Sequence, residues 1–340
     1  MRPLNDLTPV GQVRRLRAAA IDAIGCFGLE GADLRLVQHG ENTIFRAAMG
    51  GDGNEPYLPG QYAVRVSGAG YQRTRQTIES EGIWMAALSA EGFAVPQPLF
   101  TAGGETLVEV DVAGAASPRF VTVTRWLGGR SMARAQPSSR YAAVGALTAS
   151  LHEQASRWKP PSGFDRQRWD WDGLFGESIA FGEGTATKAW SLVPQPHRRR
   201  WQKVASRLAA IVDDLGTSDG FGLIHADLHR DNMLFHRGRI HLLDFDDCGW
   251  GWQLYDIAVA MSEGVRTSER WDEVLEAFLR GYQEVRAVPA GIELLDEFIA
   301  ARWVTVGLWI VGMGQINTRF AEMVPKEIAW IAEDLDAIDR

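Results

Sequence analysis

The sequence predicts an α+β protein in which a small β-rich part precedes a larger helical part. Short β-prone runs dominate from residue 31 to about residue 125, and apolar residues at helical spacing dominate from Tyr141 onward. The glycine-marked segment Leu127-Gly128-Gly129 separates the two patterns. We therefore expect an N-terminal helical extension over residues 1–30, a β-rich domain over residues 31–125 and a helical domain over residues 126–340.

The β-rich part is predicted to contain five strands with one helix inserted after the third. Apolar residues at helical spacing over residues 10–28 indicate an amphipathic helix before the first strand. The inserted helix is expected at about Thr74–Glu91, where the apolar side chains fall on one side. The predicted strands are Leu34–Val37, Thr43–Ala48, Gln61–Val66, Leu107–Val112 and Phe120–Thr124.

The second part is predicted to be mainly helical, with one β-like interruption at Asn232–Asp244. Residues 155–190 are rich in tryptophan and are expected to form an irregular insertion, in which these tryptophans pack rather than bind a ligand. The predicted helices are Tyr141–Glu153, Arg198–Leu215, Trp271–Val285 and Ile292–Met313.

Composition and charge narrow the class of protein. A chain of 340 residues with 46% hydrophobic and 23% charged residues is globular, which excludes collagen-like and largely disordered proteins. The net charge of −8 argues against a nucleic-acid partner, because the basic run His197–Arg200 is short and is expected to be a solvated helix face. Cys26 and Cys248 lie far apart and suggest no disulfide framework, so we expect a reducing cytoplasm.

No segment of the sequence predicts a membrane partner. The first residues lack the continuous apolar run of a signal peptide. The best membrane candidate, Trp303–Met313, is too short to span a bilayer and has Arg302 at its edge. A buried core helix explains this stretch better.

Polar residues with a chemical role cluster around a predicted β-hairpin. Its apolar runs flank a turn at Arg237–Arg239, so Asn232 and Asp244 are expected to meet at its open end. An amide oxygen and a carboxylate together suit Mg²⁺, which takes its remaining ligands from water and phosphate. Asp227 lies five residues before Asn232, where it can serve as the base of phosphoryl transfer without binding the metal. The alternative is an ordinary hairpin whose Asp and Asn residues cap turns.

The pattern His225-x-Asp227-x-x-x-x-Asn232 followed by Asp244-Phe245-Asp246 resembles the catalytic and metal-binding loops of the aminoglycoside phosphotransferase superfamily. The continuation to Asp256-Ile257-Ala258 is most similar to the branch that contains homoserine kinase and the bacterial stress-response Ser/Thr kinases. The resemblance runs from about residue 31 to residue 318. It implies a protein-kinase-like fold of two lobes, and transfer of the γ-phosphoryl group of ATP with Mg²⁺ as the metal.

The resemblance also implies a role for each motif residue. Asp227 would orient or deprotonate the acceptor, and Asn232 and Asp244 would hold the metal ions that bridge the phosphates. His225 would brace the catalytic loop. Asp256 would support that loop rather than take part in the chemistry.

The resemblance implies that the β-rich domain is the nucleotide-binding lobe and that it carries a phosphate-anchoring basic residue with an acidic partner. Arg65 lies on the third predicted strand, where most kinases carry a phosphate-anchoring Lys. Arginine still supplies a permanent charge and a bidentate fork. Its expected ion-pair partner is Glu81 on the inserted helix, with Glu79 as the competitor.

A loop and a hinge complete the predicted nucleotide site. Gly40 and Asn42 lie in a loop poor in glycine, of the kind that this superfamily uses over the phosphates. The backbone groups of Arg125 and Leu127, at the end of the fifth strand, are expected to form hydrogen bonds with adenine.

We expect the phosphoryl acceptor to be a hydroxyl group, or an amine, of a small molecule. No extended activation loop is evident between Asp244 and Asp256, which leaves little room for a peptide. His229 stands where protein kinases usually carry Lys, and this is commoner among the members that act on small molecules. A small amino alcohol or homoserine-like molecule is the first expectation, followed by a protein serine or threonine and then by an antibiotic such as an aminoglycoside.

The segment after Asp244 offers groups for an amine. Asp246 and Asp247 stand near Trp250 and Trp252, and a carboxylate beside an indole can hold an ammonium group by charge and cation–π contact. Packing of the loop by the two tryptophans is the stronger interpretation.

Two other functions remain open from the sequence. A metal-dependent hydrolase would use the histidines and aspartates around Asp227 as zinc ligands, but this leaves Arg65, Glu81 and the hinge unexplained. A pseudokinase would keep the fold and bind nucleotide without turnover. Bound zinc would indicate the former, and nucleotide binding without ATP consumption would indicate the latter.

Overall fold

The computed structural model describes residues 2–50, 54–68, 74–132, 137–176, 180–181, 184–215, 220–262, 270–315 and 317–339. These residues form two compact units. Unit 1 comprises Met1–Arg130, Ser162–Asp165 and His241–Leu243, and unit 2 comprises Ser131–Pro161, Arg166–Ile240 and Asp244–Arg340. The insertion predicted to be irregular at residues 155–190 lies in part outside the described residues, and for the described part the prediction is wrong, since it contains the strand Arg168–Trp169 and the helix Trp171–Phe175.

Unit 1 is an antiparallel five-stranded sheet with two helices. The strand order is β1-β2-β3-β5-β4, with neighbours hydrogen-bonded. The five predicted strands and the helix after the third are therefore confirmed. The elements in chain order are α1 (Pro9–Ile24), β1 (Asp33–His39), β2 (Thr43–Ala48), β3 (Tyr57–Val66), α2 (Arg75–Ala90), β4 (Leu107–Val110) and β5 (Arg119–Leu127).

The first helix packs its small and apolar side chains into the same core as the sheet. Thr8 caps α1 by accepting a hydrogen bond from the Gly11 N–H at 3.3 Å, and Pro9 fits the first turn, where no N–H partner is needed. Burial of this face removes apolar surface from water and fixes the helix to the sheet. The shared core includes Leu16, Ala20, Ile24, Phe45, Val64, Val121 and Val123.

The alternation of β3 places one polar side chain on the opposite face from the core. Val64 and Val66 are buried with the core of α1, so Arg65 lies on the other face. The helix α2 begins after Thr74, whose hydroxyl accepts from the Thr77 N–H at 3.1 Å. Glu81 is buried on this helix. Arg65 on β3 and Glu81 on α2 can therefore contact each other.

Unit 2 is mainly helical, and short strands occur among its helices. Its helices are α3 (Ser138–Arg157), α4 (Trp171–Phe175), α5 (Ala186–Leu192), α6 (Gln195–Leu215), α7 (Gln253–Ser262), α8 (Trp271–Gln283), α9 (Leu295–Met313) and α10 (Thr318–Ile338). The remaining strands of the described residues are β6 (Arg130–Ser131), β7 (Arg168–Trp169), β8 (Ala180–Phe181), β9 (Gly184–Thr185), β10 (Phe221–Ile224), β11 (Met233–His236), β12 (Arg239–Leu242) and β13 (Gly249–Trp252). They form sheets in the orders β10-β13-β7, β12-β11-β6 and β8-β9.

The strand β13 was not predicted, and its glycines explain why. Its sequence Gly-Trp-Gly-Trp reads as a turn rather than as a strand. β13 lies between antiparallel β10 and parallel β7. A Cβ atom on Gly251 would lie 2.5 Å from Ile224 Cδ1 and 2.9 Å from Trp169 Cβ. Glycine is therefore required here because both neighbours approach too closely for a side chain.

The helices α7 and α10 were also missed. Every residue of α7 is buried and the helix has only 10 residues, so periodicity alone does not distinguish its short apolar run from a buried strand. The neighbouring helix α9 is buried along most of its length, and the predicted core helix at Trp303–Met313 is confirmed. Among the described residues no helix is long and apolar enough to cross a bilayer.

Candidate active site

The loop that carries Asp227 follows β10 and is supported from beneath by Asp256 at the start of α7. The Asp256 carboxylate accepts hydrogen bonds from the backbone N–H groups of His225 at 2.9 Å and Ala226 at 2.6 Å. Ala226 has a φ of 66°, a left-handed conformation that is costly for a residue with a Cβ atom. The two hydrogen bonds to a buried carboxylate stabilise this conformation. Asp256 thus supports the loop, as the resemblance implies.

His225 and His152 complete this support. The His225 ring packs edge-to-face on Phe245 with centroids 4.6 Å apart, and its Nδ1 accepts from the Asp227 N–H at 3.2 Å. His152 Nε2 lies 3.2 Å from Asp256 Oδ2. His225 and Asp256, the latter in contact with His152, therefore both hold the loop.

Three side chains contact the carboxylate of Asp227. Arg302 Nη2 donates to Oδ1 at 2.5 Å, whereas Asn232 Nδ2 donates to Oδ2 at 2.7 Å. His229 Nε2 lies 3.1 Å from the same Oδ2. His229 Nδ1 accepts from the Asp231 N–H at 3.3 Å, so the ring proton is assigned to Nε2, which faces Asp227. Asp227 is thereby held in one orientation.

These contacts keep Asp227 ionised. Burial disfavours the charged carboxylate, but His229, through its hydrogen bond, and the charge of Arg302 outweigh this effect and hold the pKa of Asp227 well below its usual range. Burial lowers the pKa of Arg302, but Asp227 and Tyr255 raise it by more, so that the pKa lies above its usual value. Both groups are therefore charged at neutral pH. A carboxylate with so low a pKa orients a hydroxyl well but is a weak base.

Sequence reasoning missed Arg302 as a functional residue. It lies 75 positions from Asp227, on α9, and was noted only as the edge of an apolar stretch. A signal was present, because Arg302 is the only charged residue between Phe298 and Met313. A lone charge in an apolar core helix needs a partner, since unpaired burial is too costly.

Asn232 and Asp244 flank the hairpin of β11 and β12, which are neighbours in one small sheet. The turn residues Arg237 and Gly238 have φ values of 48° and 82°, as in the two-residue turns typical of hairpins. The predicted hairpin is therefore confirmed.

The donor chemistry of these two residues fits a divalent cation. The amide N–H groups of Asn232 donate to the carbonyl oxygen of Asp227 at 3.0 Å and to its carboxylate, so the amide oxygen is the atom left for a cation. Asp244 is exposed and has a φ of 55°. One amide oxygen and one carboxylate are ligands that Mg²⁺ accepts. In the described part of the chain, no three His, Cys, Asp or Glu side chains form a metal cluster of the kind a zinc hydrolase needs.

The loop after Asp244 is held by a segment that was predicted to be an irregular insertion. Arg166 donates from Nε to the Cys248 carbonyl oxygen at 2.6 Å and from Nη2 to the Asp246 carbonyl oxygen. Trp169 Nε1 donates to the Asp247 carbonyl oxygen at 2.7 Å. Trp169 therefore positions this loop in addition to packing.

The two tryptophans of β13 differ in environment. Trp252 is buried and packs edge-to-face on Phe221, with ring centroids 5.0 Å apart, and against Phe298. Trp250 is half-buried. For Trp252, packing is the observed role.

In unit 1, Arg65 and Glu81 form the expected ion pair. Arg65 Nη1 and Nη2 donate to Oε1 and Oε2 of Glu81 at 2.9 and 2.6 Å, and the side chains are 16% and 2% exposed. The competitor Glu79 instead pairs with Arg75 at 3.1 Å. The two parallel hydrogen bonds to Glu81 hold the guanidinium of Arg65 in a fixed plane. Binding of a phosphate by Arg65 remains a prediction.

The predicted nucleotide loop is joined to the end of β3. Asn42 Oδ1 accepts from the Gly68 N–H at 3.2 Å, and the Gly40 N–H donates to the Asn42 carbonyl oxygen at 3.0 Å. A Cβ atom on Gly68 would lie 2.0 Å from the Glu41 carbonyl oxygen, so only glycine allows this approach. Asn42 thus shapes the loop from within the protein.

The predicted adenine contacts lie at the end of β5. Leu127 is paired with Tyr57 on β3, and Arg125 is paired with Tyr62. The Arg125 N–H donates to the Gln97 carbonyl oxygen at 2.9 Å. Any hydrogen bond from a base to the Arg125 backbone must therefore use its carbonyl oxygen. The roles of Arg125 and Leu127 remain predictions.

Comparisons with known proteins agree with this architecture. The chain is 28% identical over 275 residues to a homoserine kinase of Polaromonas naphthalenivorans, covering 76% of this chain and 78% of the relative. It superposes on a microcompartment-associated aminopropanol kinase with a TM-score of 0.70 and 30% identity, covering 91% and 92% of the two chains. An amicoumacin kinase in complex with AMP-PNP, Ca²⁺ and Ami gives a TM-score of 0.66 at 20% identity, covering 88% of each chain. The predicted α+β, kinase-like fold is confirmed.

A family model described as the phosphotransferase enzyme family matches residues 49–295, which is more than half of the chain. The protein therefore belongs to this family and is a phosphotransferase enzyme.

Proposed function

We propose that this enzyme transfers the γ-phosphoryl group of ATP to a hydroxyl group of a small amine-bearing molecule, such as an amino alcohol or a homoserine-like amino acid. The family supplies the class of reaction. The names of an aminopropanol kinase and a homoserine kinase among the similar proteins support the class of acceptor.

One observation carries the choice of a small acceptor over a protein. Only residues 245–248 separate Asp244 from β13, which pairs directly with β10. The helix α7 begins at Gln253, immediately after the last residue of β13. This stretch therefore contains no long loop on which an extended peptide could lie. A protein kinase needs such a surface because its acceptor is presented as an extended segment.

The proposed donor is ATP with Mg²⁺. Asn232 and Asp244 would hold the ion, which when bound neutralises charge on the phosphates. Arg65, fixed by Glu81, would anchor the phosphates with a permanent positive charge, and the loop of Gly40 and Asn42 would lie over them. The AMP-PNP and Ca²⁺ bound to the similar amicoumacin kinase support the use of a nucleotide and a divalent cation.

Asp227 would orient the acceptor. The acceptor oxygen forms a bond to the γ-phosphorus while the bond from the γ-phosphorus to the bridging oxygen breaks and ADP leaves. The hydroxyl proton passes to Asp227 or to solvent as the new bond forms. Because the pKa of Asp227 is held low, the rate gain would come mainly from positioning rather than from early proton removal.

The acceptor's amine would lie near Asp246 and Asp247. Hydrogen bonds from Arg166 and Trp169 fix the backbone of the loop that carries these two residues. Negative charge in a rigid loop favours an ammonium group without paying for loop ordering when the substrate binds.

An ATP-consumption screen tests the proposal. Purified enzyme is given Mg·ATP with single amino alcohols, homoserine, aminoglycosides or generic protein substrates, and phosphorylated products are identified by ³¹P NMR. We expect turnover with one of the small amino alcohols or homoserine, and background ADP release with the proteins. Labelling of protein alone would replace the proposal with a protein Ser/Thr kinase. Nucleotide binding without turnover of any acceptor would indicate a pseudokinase.

A further inference from the structure

We infer that Arg302 is a positioning residue for Asp227, which fixes the carboxylate in the orientation that receives the acceptor hydroxyl. This inference deepens the proposed function and rests on the role of Asp227 in it. Arg302 would not contact the transferred phosphoryl group.

The distribution of donors around Asp227 supports this role. Oδ2 receives Asn232 and His229, both within five residues of Asp227 on the same loop. Oδ1 receives Arg302, which comes from a different element. A carboxylate offers about four lone-pair directions, and these three donors leave one for a hydroxyl. Arg302 therefore decides which direction remains.

Arg302 is itself held in place by its surroundings. Its neighbours along the helix, Ala301 and Trp303, are buried, and its own side chain is 12% exposed. Against the effect of burial, the pKa of Arg302 is raised by Asp227, Tyr255 and Asp247. The Tyr255 ring stacks on Trp169, with ring centroids 5.8 Å apart. The guanidinium thus belongs to a packed layer rather than to a mobile surface chain.

Loss of Arg302 would free Oδ1 and let the carboxylate rotate about its remaining contacts on Oδ2. A misplacement of about 1 Å at a reacting group costs on the order of 100-fold in rate. Binding of nucleotide, which uses other residues in the proposed function, would be spared. The expected signature is a fall in kcat with little change in KM for ATP.

The test compares Arg302→Met, Arg302→Lys and Arg302→Ala with the control Arg200→Met. Arg200 also lies in unit 2 and pairs with two carboxylates, Asp336 and Asp339, at 2.5 and 2.6 Å, but it lies outside the proposed machinery. We expect R302M to lower kcat about 100-fold while KM for ATP changes less than about threefold, and R200M to leave both unchanged. R302K should recover part of the loss, since lysine restores the charge without the fork. Added guanidinium ion should partly restore R302A.

A loss of kcat that follows the loss of folded protein, without rescue by lysine or guanidinium, would show a structural role and overturn the inference. Full activity of R302M would do the same.

A spectroscopic measurement separates this outcome from failure of the proposed function. In enzyme with ¹³Cγ-labelled aspartate, the Asp227 signal is assigned by its absence in D227N. We expect that signal to shift in R302M and to stay in place in R200M. This readout needs no acceptor, so it remains valid if no substrate is found. An unchanged signal in R302M would refute the positioning role even in an active kinase.

Discussion

Each unit of the protein buries an arginine–carboxylate ion pair, and the two pairs are built differently. In unit 1 both oxygens of Glu81 are used by the single guanidinium of Arg65. In unit 2 the oxygens of Asp227 are divided, with Arg302 on one and loop residues on the other. In the first pair both oxygens of Glu81 accept hydrogen bonds from Arg65. In the second pair Arg302 is one of three side chains that contact Asp227.

This difference indicates which member of each pair is the working group. Glu81 is 2% exposed and both of its oxygens accept from Arg65, which is 16% exposed, so in unit 1 the arginine is the group presented to a ligand. A carboxylate held by three donors with one direction left is itself presented, so in unit 2 the arginine is the support. The same chemical pair therefore serves opposite purposes.

The largest expected effect is that of Asp227→Asn. We expect kcat to fall at least about 1,000-fold while Mg·ATP affinity stays within a few-fold, because the acceptor loses its orienting charge but the nucleotide residues are untouched. Thermal stability should also fall, since Arg302 is left buried without its carboxylate. Steady-state kinetics, nucleotide titration and a melting curve measure the three effects.

The double variant D227N/R302M sharpens this comparison. It should regain stability relative to D227N without regaining activity, since removal of both partners leaves no unpaired buried charge. Appreciable turnover by D227N would show that Asp227 does not orient the acceptor, and Arg302 would then not be its support.

A large effect is also expected for Asp244→Ala. The variant should lose about 100-fold in Mg²⁺-dependent nucleotide affinity, because it removes the one carboxylate of the proposed metal pair. Isothermal titration with ATP, in the presence of Mg²⁺ and of EDTA, separates the metal-dependent part. In EDTA the variant and the wild type should bind equally. Unchanged affinity for Mg·ATP would contradict the assignment of Asp244 as a metal ligand.

The hairpin was predicted from a local pattern, whereas the Arg65–Glu81 pair was predicted from the family resemblance. Arg65 lies on a strand whose alternation was clear, and Glu81 follows 16 residues later on the next helix. The hairpin reads directly from two apolar runs around Arg237-Gly238. In both cases neighbouring elements contact each other, so the order of residues along the chain nearly determines the geometry.

The supporting contacts of unit 2 could not be predicted in the same way. Arg302 meets Asp227 across 75 residues, and Arg166 meets the loop after Asp244 across about 80. Neither partner carries a periodic pattern that points to the other. The helix α7 was missed because it is buried and only 10 residues long, so its sequence is not distinguished from a buried strand by periodicity. Tertiary packing, rather than local preference, determines these features.

A smaller effect is expected for Glu81→Gln in unit 1. Arg65 should keep its position in part, through the remaining hydrogen bond, but lose the charge that fixes its plane. We expect kcat/KM for ATP to fall about 10- to 100-fold while KM for the acceptor is unchanged.

The matched control for E81Q is Glu79→Gln on the same helix. It removes the exposed pair with Arg75, whose side chains are 42% and 37% exposed, and should change activity less than twofold. If E81Q and E79Q behaved alike, the buried pair would not be anchoring the nucleotide. If E81Q changed acceptor KM instead, Arg65 would not be the group that unit 1 presents to the phosphates.

The smallest expected effect concerns Asp334 on α10, a buried carboxylate whose Oδ2 has no hydrogen-bond partner among the described residues. Burial, reinforced by the charge of Glu333, raises the pKa of Asp334 to about 6. A carboxyl with a raised pKa in the folded state gives stability that is full below its unfolded value and is lost as pH rises through about 6. Asp334→Asn, which mimics the protonated form, should therefore be more stable than the wild type at pH 8 by on the order of 1 kcal/mol and no more stable at pH 4. Denaturant unfolding at the two pH values measures the difference. If D334N and the wild type differed in unfolding free energy by the same amount at both pH values, the pKa of Asp334 would be the same in the folded and unfolded states. The Asp334 carboxylate would then be ionised at pH 8 without the arginine partner that Glu81 and Asp227 each have.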